Sequence, residues 1–159
     1  MAQAVYFITF TTYGSLLPGD ARIATRAPDA RGRPVRVPFA PMLRAAILRT
    51  MREPRWILRF SQRLAVRRSI AETCALAAWP LVTLTVEPTH VHLVVASVVA
   101  GERVARMIKA RATNALRHLG RSDGREHLWT RGSSARRLES MTAILRAIAY
   151  VNAHPHAYE

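Results

Sequence analysis

The segment Leu81–Ala96, with the sequence LVTLTVEPTHVHLVVA, constrains the fold more than any other part of the chain. Two runs of Val, Leu and Thr are separated by Pro88-Thr89, and this arrangement predicts a β-hairpin with the proline in its turn. Successive side chains of a strand point to opposite faces, so one face of this hairpin is apolar and must lie on a core. That face comprises Val82, Leu84, Val86, Val91, Leu93 and Val95.

The other face of the hairpin carries two histidines. If Glu87 and His90 flank a two-residue turn, they face each other across the two strands. Two residues further from the turn, Thr85 then faces His92 on the same side. Imidazoles at positions i and i+2 of one strand lie roughly 6–7 Å apart, so both could bind one metal ion. The alternative is that both histidines are ordinary polar residues on a solvated face.

Composition predicts a single domain that binds a polyanion. The chain has 159 residues, of which 50% are hydrophobic, and this suffices for one domain over 1–159 with one core. Its formal net charge is +14, and nearly all of the positive charge is arginine, since Lys109 is the only lysine. Arginine is suited to bidentate phosphate contacts, which favours nucleic acid as the partner. An Arg-rich coding bias is the alternative explanation.

Cysteine usage and hydropathy predict a cytoplasmic protein. Cys74 is the only cysteine, so neither a disulfide nor a thiolate metal cluster is expected. No apolar run approaches the roughly 18 residues of a membrane helix, and no basic segment precedes the apolar N-terminal run. We therefore expect a soluble protein without a membrane partner.

Periodic patterns predict the remaining elements. A β-branched and aromatic run predicts a buried strand, and segments with helical spacing predict four helices. Residues 20–38 hold five arginines among Pro, Gly and Ala, which predicts a basic loop that either contacts phosphates or is merely solvated. The predicted elements are strands over 5–12, over 127–131 and after 134, and helices over about 41–52, 61–79, 101–119 and 139–154.

The faces of two of these helices can be assigned from spacing. In the second helix, Ser61 is the expected N-cap. Its expected apolar side comprises Leu64, Ile70, Cys74, Leu76 and Ala77. The expected core positions of the third helix are Val104, Ile108, Ala112, Ala115 and Leu119. A second face of that helix carries Arg106, Lys109, Thr113 and Arg117. This face is either a track for phosphates or a solvated surface.

The last helix contains a tyrosine that lies away from the core. Its expected buried stripe comprises Met141, Ile144, Leu145, Ile148 and Val151 or Asn152. Tyr150 falls about 200° round the helix from Ile148, and both Arg146 and His154 lie one turn away on its side. A tyrosine nucleophile that attacks a phosphate requires an exposed phenol beside a cation and a metal ligand. The alternative is an ordinary surface tyrosine.

These residues resemble the single-tyrosine HUH transposases, in particular the REP-associated tyrosine transposases. The His90-Val91-His92 element matches the family's His-hydrophobic-His motif, and the segment from Tyr150 to Pro155 is similar to its tyrosine helix. His154 stands where relatives place a polar third metal ligand, usually Asn or Gln. The opening FITFTTYGSLLPGD and the LWTRG before the last helix also resemble family segments.

The resemblance implies both a fold and an activity. The fold is α+β, with a central antiparallel sheet of four or five strands in a ferredoxin-like or RNA-recognition-motif-like arrangement and helices packed on it. The activity is cleavage and rejoining of single-stranded DNA near a hairpin. Tyr150 would form a 5′-phosphotyrosine, while His90, His92 and His154 would hold Mg²⁺ or Mn²⁺. The expected phosphate contacts are Arg106, Lys109, Arg117 and Arg146.

Two other functions remain open from the sequence. One is a non-catalytic module that binds single-stranded nucleic acid on a similar sheet. The other is a metal-dependent phosphodiesterase in which a metal-bound water is the nucleophile. The sequence also leaves open whether the protein is a homodimer or a monomer, and whether Tyr150 serves the histidines of its own subunit.

Overall fold

The computed structural model describes residues 2–15, 17, 26–28, 34–36 and 39–157. The elements that these residues form are, in chain order, β1 (Ala4–Thr11), β2 (Arg26–Pro28), β3 (Pro34–Arg36), α1 (Pro41–Thr50), α2 (Phe60–Leu76), β4 (Leu81–Val86), β5 (His90–Ser97), α3 (Gly101–His118), β6 (Ser134–Leu138) and α4 (Met141–Asn152). No helix within this part of the chain is both long enough and apolar enough to cross a membrane.

A four-stranded antiparallel sheet organises the fold. Its strand order is β4-β5-β1-β6, with β1 paired on both sides. Without the small β2-β3 ribbon, α1 and the final helix α4, the chain order is strand, helix, strand, strand, helix, strand, which is the ferredoxin-like arrangement. The predicted α+β class is therefore confirmed, with four strands in the main sheet rather than five.

The predicted register of the hairpin is confirmed near the turn, but it shifts at the start of β4. Thr85 pairs with His92, and the Glu87 backbone N–H donates to the His90 carbonyl at 2.8 Å. The register shifts by one residue between Leu81 and Thr83. Because of this bulge, the side chain of Val82 is 47% exposed, and its predicted place on the core face is wrong.

The two faces of the sheet are covered by different helices. One face packs against α2 and α3 and carries the main core, which includes Ile8, Phe10 and Leu93. The other face packs against α4 through a smaller cluster of Val94, Leu138, Ala147 and Val151. Since side chains alternate along a strand, His90 and His92 lie on the same face as Val94, beneath α4.

The predicted faces of α2 are partly wrong. The helix begins at Phe60, and Arg59 is its N-cap, so Ser61 lies inside the first turn. Leu64 and Leu76 are exposed, whereas the fully buried Gln62 lies in the core. The Gln62 side chain accepts from the Arg59 backbone N–H and donates to a carbonyl and a carboxylate on the loop after α3, so burial leaves its amide satisfied.

The apolar faces of α3 and α4 also differ from expectation at their ends. In α3 the last core residue is Leu116, while the predicted Leu119 is the exposed C-cap. In α4, Ser140 is the N-cap, and the predicted core residues Met141 and Leu145 are exposed. A single helix crossing one face of a sheet buries only a narrow stripe, so the outer residues of a broad apolar pattern stay in solvent.

Two segments differ from the predicted strand and loop. The predicted strand over 127–131 contributes only an isolated bridge between Thr12 and Trp129. Of the predicted basic loop over 20–38, residues Arg26–Pro28 and Pro34–Arg36 are described, and they pair as an antiparallel ribbon. The rest of that loop lies outside the described residues.

Candidate metal centre and tyrosine

Three histidines meet on the sheet face that packs against α4. His90 and His92 project from β5, and His154 comes from the turn that follows α4. The ring centroids lie 4.7 Å apart for His90 and His92, 4.8 Å for His92 and His154, and 5.5 Å for His90 and His154. One nitrogen of each ring lies within 4.8 Å of one nitrogen of the others. The structure thus brings together the three histidines that the sequence predicted as metal ligands.

In each histidine of this triad, one ring nitrogen has a partner within the protein. Each Nδ1 lies near an oxygen of the protein: His92 at 2.7 Å from Thr9 Oγ1, His90 at 3.1 Å from Thr89 Oγ1, and His154 at 2.9 Å from the Tyr150 carbonyl. A carbonyl can only accept, so the Nδ1 of His154 donates, and its Nε2 carries the lone pair. Partners that fix one ring nitrogen and free the other are typical of metal-binding histidines.

Burial keeps two of these imidazoles in the neutral, metal-binding form. The pKa of His92 is lowered to about 3, first because burial penalises the charged ring and then because His90 and His154 would repel it. Burial also lowers the pKa of His90, His154 lowers it further, and the Glu87 carboxylate opposes this effect. Only a neutral imidazole binds a metal ion, so the donor set suits a divalent cation.

The nitrogens require only a small adjustment to hold such an ion. Two nitrogens at about 2.1 Å from one metal ion are at most about 4.2 Å apart, slightly less than the spacing here. Small ring rotations would close this difference. The donor set is all imidazole, however, and Mg²⁺ favours oxygen ligands.

Tyr150 stands at the edge of the histidine cluster. Its side chain is 52% exposed, and its ring centroid lies 4.9 Å from that of His154 and 5.3 Å from that of His92. The ring also meets Phe7 edge-on at 5.9 Å. An accessible phenol beside three potential metal ligands is the arrangement that nucleophilic attack on a metal-bound phosphate requires. All four groups belong to the same chain.

Contacts that sequence reasoning missed hold the end of α4 over the sheet. The Thr83 hydroxyl donates to Asn152 Oδ1 at 2.6 Å. The guanidinium of Arg67, from α2, donates to the carbonyls of Leu84 and Ala157 at 3.0 Å each. These bonds connect β4, α2 and the segment after α4, so they fix the turn that carries His154. No local pattern in the sequence indicates such long-range partners.

Glu87 adds a further connection at the turn of the hairpin. Its buried carboxylate accepts a hydrogen bond from Thr85 Oγ1 at 2.7 Å. The same oxygen accepts from the backbone N–H of His156 at 3.3 Å. The chain that leaves α4 is thereby bonded to the strand turn next to His90.

The predicted phosphate contacts separate into two groups. Arg106, Lys109 and Arg117 belong to α3, which packs on the sheet face opposite the histidines. Lys109 Nζ donates to two carbonyls of the loop before β6, at 2.9 and 2.7 Å, and Arg117 donates to the Glu126 carbonyl. In contrast, Arg146 is exposed on α4 one turn before Tyr150. The structure thus brings only Arg146 of these four to the side of the tyrosine.

Thr9, Phe7 and Arg136 also line the site, and the sequence did not identify them. Phe7 stacks on His92 with centroids 5.5 Å apart, and the guanidinium of Arg136 lies 5.8 Å from the Phe7 ring centroid. Strand alternation could have placed Phe7 and Thr9 on one face. Their alignment with His92 depends on the register between β1 and β5, which the sequence does not give.

Fold and site together define a class: a ferredoxin-like α+β domain in which an exposed tyrosine stands beside three histidines. Among solved structures, the chain is similar to a REP-associated tyrosine transposase bound to a REP hairpin. The TM-score is 0.53 and the identity is 12%, over 94% of this chain and 65% of that chain. This similarity confirms the fold expected from the resemblance, and the chain spans slightly less than two thirds of that protein.

A candidate transposase from Deinococcus radiodurans R1 is also similar, with a TM-score of 0.45 and 14% identity over 97% of this chain and 93% of that chain. No protein-family model matches the sequence. No curated protein matches it either.

Proposed function

We propose that this protein is a transposase-like endonuclease and strand transferase that cleaves and rejoins single-stranded DNA near a hairpin. The observation that carries the proposal is the position of Tyr150, exposed and one turn from His154, with its ring beside His92. Attack on a phosphodiester requires an oxygen nucleophile and compensation of negative charge, and Tyr150 and a cation held by the histidines would supply both.

In the proposed reaction, the Tyr150 phenolate oxygen attacks the scissile phosphorus. A bond forms between phosphorus and the tyrosine oxygen, the bond to the 3′-oxygen breaks, and the phenolic proton passes to solvent. The departing 3′-oxygen takes up a proton, leaving a free 3′-hydroxyl and a 5′-phosphotyrosine. The reverse attack by a 3′-hydroxyl rejoins DNA without ATP, because the phosphotyrosine retains the energy of the phosphodiester.

His90, His92 and His154 would hold a divalent cation in this proposal. When bound, the cation would polarise the phosphate and neutralise its developing charge. Thr9 and the Tyr150 carbonyl fix the orientation of two of these rings, those of His92 and His154. The all-imidazole set leads us to expect higher activity with Mn²⁺ than with Mg²⁺.

The proposed partner is single-stranded DNA that carries a hairpin. The net charge of +14 supports a polyanion, and the similar transposase is bound to a REP hairpin. Tyr150 lies beside histidines of its own chain, so the four residues named for the proposed reaction all belong to one subunit. We therefore propose that Tyr150 acts in cis and that catalysis does not require a dimer.

A covalent adduct with DNA is the decisive test. Wild-type protein is incubated with a labelled single-stranded hairpin oligonucleotide and Mn²⁺, and the products are separated on a denaturing protein gel. We expect a labelled protein band that is lost in Tyr150→Phe, because phenylalanine keeps the ring and removes the nucleophilic oxygen. Tyr6→Phe is the matched control, since Tyr6 packs against the main core on the other face of the sheet.

Each alternative gives a different result in this experiment. An adduct that persists in Tyr150→Phe would contradict the assignment of the nucleophile. Metal-dependent cleavage without any adduct in the wild type would indicate a phosphodiesterase with a water nucleophile. Binding that needs no metal and leads to no cleavage would indicate a non-catalytic binding module.

A further inference from the structure

The path of α4 leaves part of the histidine-bearing face uncovered. The helix follows β6 in the chain and packs on Leu138, and its last turn is bonded through Asn152 to Thr83 on β4. It therefore crosses the sheet diagonally. One corner that the helix leaves open is formed by the last residues of β1 and the first residues of β6, where Thr9 pairs with Ser134.

Tyr150 faces this open corner. Tyr150 and Asn152 are about 200° apart around the helix, so they lie on opposite sides of α4. Asn152 is turned to β4, and Tyr150 accordingly meets Phe7 on β1. A DNA strand that presents its phosphate to Tyr150 should therefore lie over the β1–β6 corner, on the side of α4 that carries Tyr150.

Arg136 lies at the rim of the same corner. It pairs with Phe7 in the sheet, and Leu138, two residues further on, packs beneath α4, so strand alternation puts Arg136 on the histidine-bearing face. Its guanidinium lies 5.8 Å from the centroid of Phe7, whose ring contacts both His92 and Tyr150. The side chain is exposed, and among the described residues it forms no ion pair.

Arg137, the next residue in β6, differs from Arg136 in its orientation and its partner. Arg137 is also exposed and carries the same charge, but it points to the opposite face of β6, and its Nε lies 3.3 Å from Glu139 Oε1. The two adjacent arginines of β6 thus lie on opposite faces of the sheet. Arg137 has an acidic partner, whereas Arg136 lies over the Phe7 ring, which contacts His92 and Tyr150.

We infer that the DNA strand crosses the β1–β6 corner and that Arg136 binds a phosphate next to the one that Tyr150 attacks. The inference rests on the proposed function, since it takes Tyr150 as the point that the DNA must reach. A guanidinium held against an aromatic ring keeps its outer N–H groups free for two parallel bonds to phosphate oxygens. Arg136 is thus a substrate-binding residue for the nucleotides that flank the cleaved bond.

The test compares Arg136→Gln with Arg137→Gln, both in the Tyr150→Phe background so that the DNA stays intact. The dissociation constant for a single-stranded hairpin oligonucleotide is measured against salt concentration. Arg136→Gln should weaken binding about 10- to 100-fold, the usual effect of losing hydrogen bonds to a charged group. It should also reduce the slope of log K against log salt by about 0.7, the value for one phosphate contact on a single strand.

Arg137→Gln should leave both quantities unchanged, and Arg136→Lys should restore the salt slope while recovering only part of the affinity. Equal behaviour of Arg136→Gln and Arg137→Gln would overturn the inference. The adduct assay on the wild type separates this failure from that of the proposed function. An adduct without an Arg136 effect refutes only the DNA path, and an Arg136 effect without an adduct refutes only the chemistry.

Discussion

Replacing His92 with Gln should flatten the pH dependence of stability in the metal-free protein. The pKa of His92 is about 3 in the folded state and 6.5 when the ring is free in solvent, with burial as the main cause. The unfolded chain therefore binds a proton on His92 below about pH 6.5, whereas the folded chain binds it only below about pH 3. Stability is complete above pH 6.5 and falls as the pH is lowered through this window.

The size of the effect follows from the width of the window. Stability changes by about 1.4 kcal/mol for each pH unit over which the two states differ by one proton. Between pH 7 and pH 5 the wild type should thus lose about 2 kcal/mol through His92. Glutamine does not titrate, so this part of the loss should be absent in His92→Gln, whatever the substitution does to stability at pH 7.

Urea unfolding at pH 7 and pH 5, with a chelator present, measures this difference. The comparison is between the pH-dependent losses of the two proteins, so contributions of other groups cancel. His118→Gln is the matched control, because His118 is exposed at the end of α3 and should keep the wild-type loss. If wild type and His92→Gln lost the same free energy between the two pH values, the burial argument for this ring would be refuted.

Two further substitutions test hydrogen bonds, one beside the histidines and one on the opposite face of the sheet. Thr9→Val removes the hydroxyl beside His92 Nδ1 and should weaken Mn²⁺ binding about 10-fold by calorimetry, as expected when the partner of a metal-binding histidine is lost. Thr11→Val on the same strand should leave the affinity unchanged, and equal effects would contradict the role of Thr9. Lys109→Met should cost about 1–3 kcal/mol in urea unfolding, because two loop carbonyls lose a charged donor. Arg106→Met, one turn earlier and exposed, should change stability by less than about 0.5 kcal/mol.

The pattern of side chains predicted the elements that build the site. Alternation in the hairpin gave the pairing of Thr85 with His92 and placed both histidines of β5 on one face. Helical spacing gave the exposed position of Tyr150 with His154 one turn away. These features depend on residues close in sequence, whose relative directions are set by the geometry of a strand or a helix.

Errors arose where the outcome depends on what packs against an element. The pattern of α2 predicted that Leu64 lies in the core. In the structure Gln62 is buried instead, because Arg121 and Asp123 on a distant loop accept hydrogen bonds from its amide. The bulge at Val82 likewise has no signal in a run of β-branched residues. Burial is decided by neighbours that local periodicity does not specify.

The sequence by itself therefore determined the two halves of the candidate site, a histidine pair on a strand and a tyrosine with a histidine on a helix. Only the tertiary structure decided that these halves meet within one chain, which face of the sheet they share, and that Arg136 rather than the α3 arginines lies beside them. The reason is physical: dihedral geometry fixes directions within an element, whereas distances between elements depend on strand register and on long-range bonds such as those of Arg67.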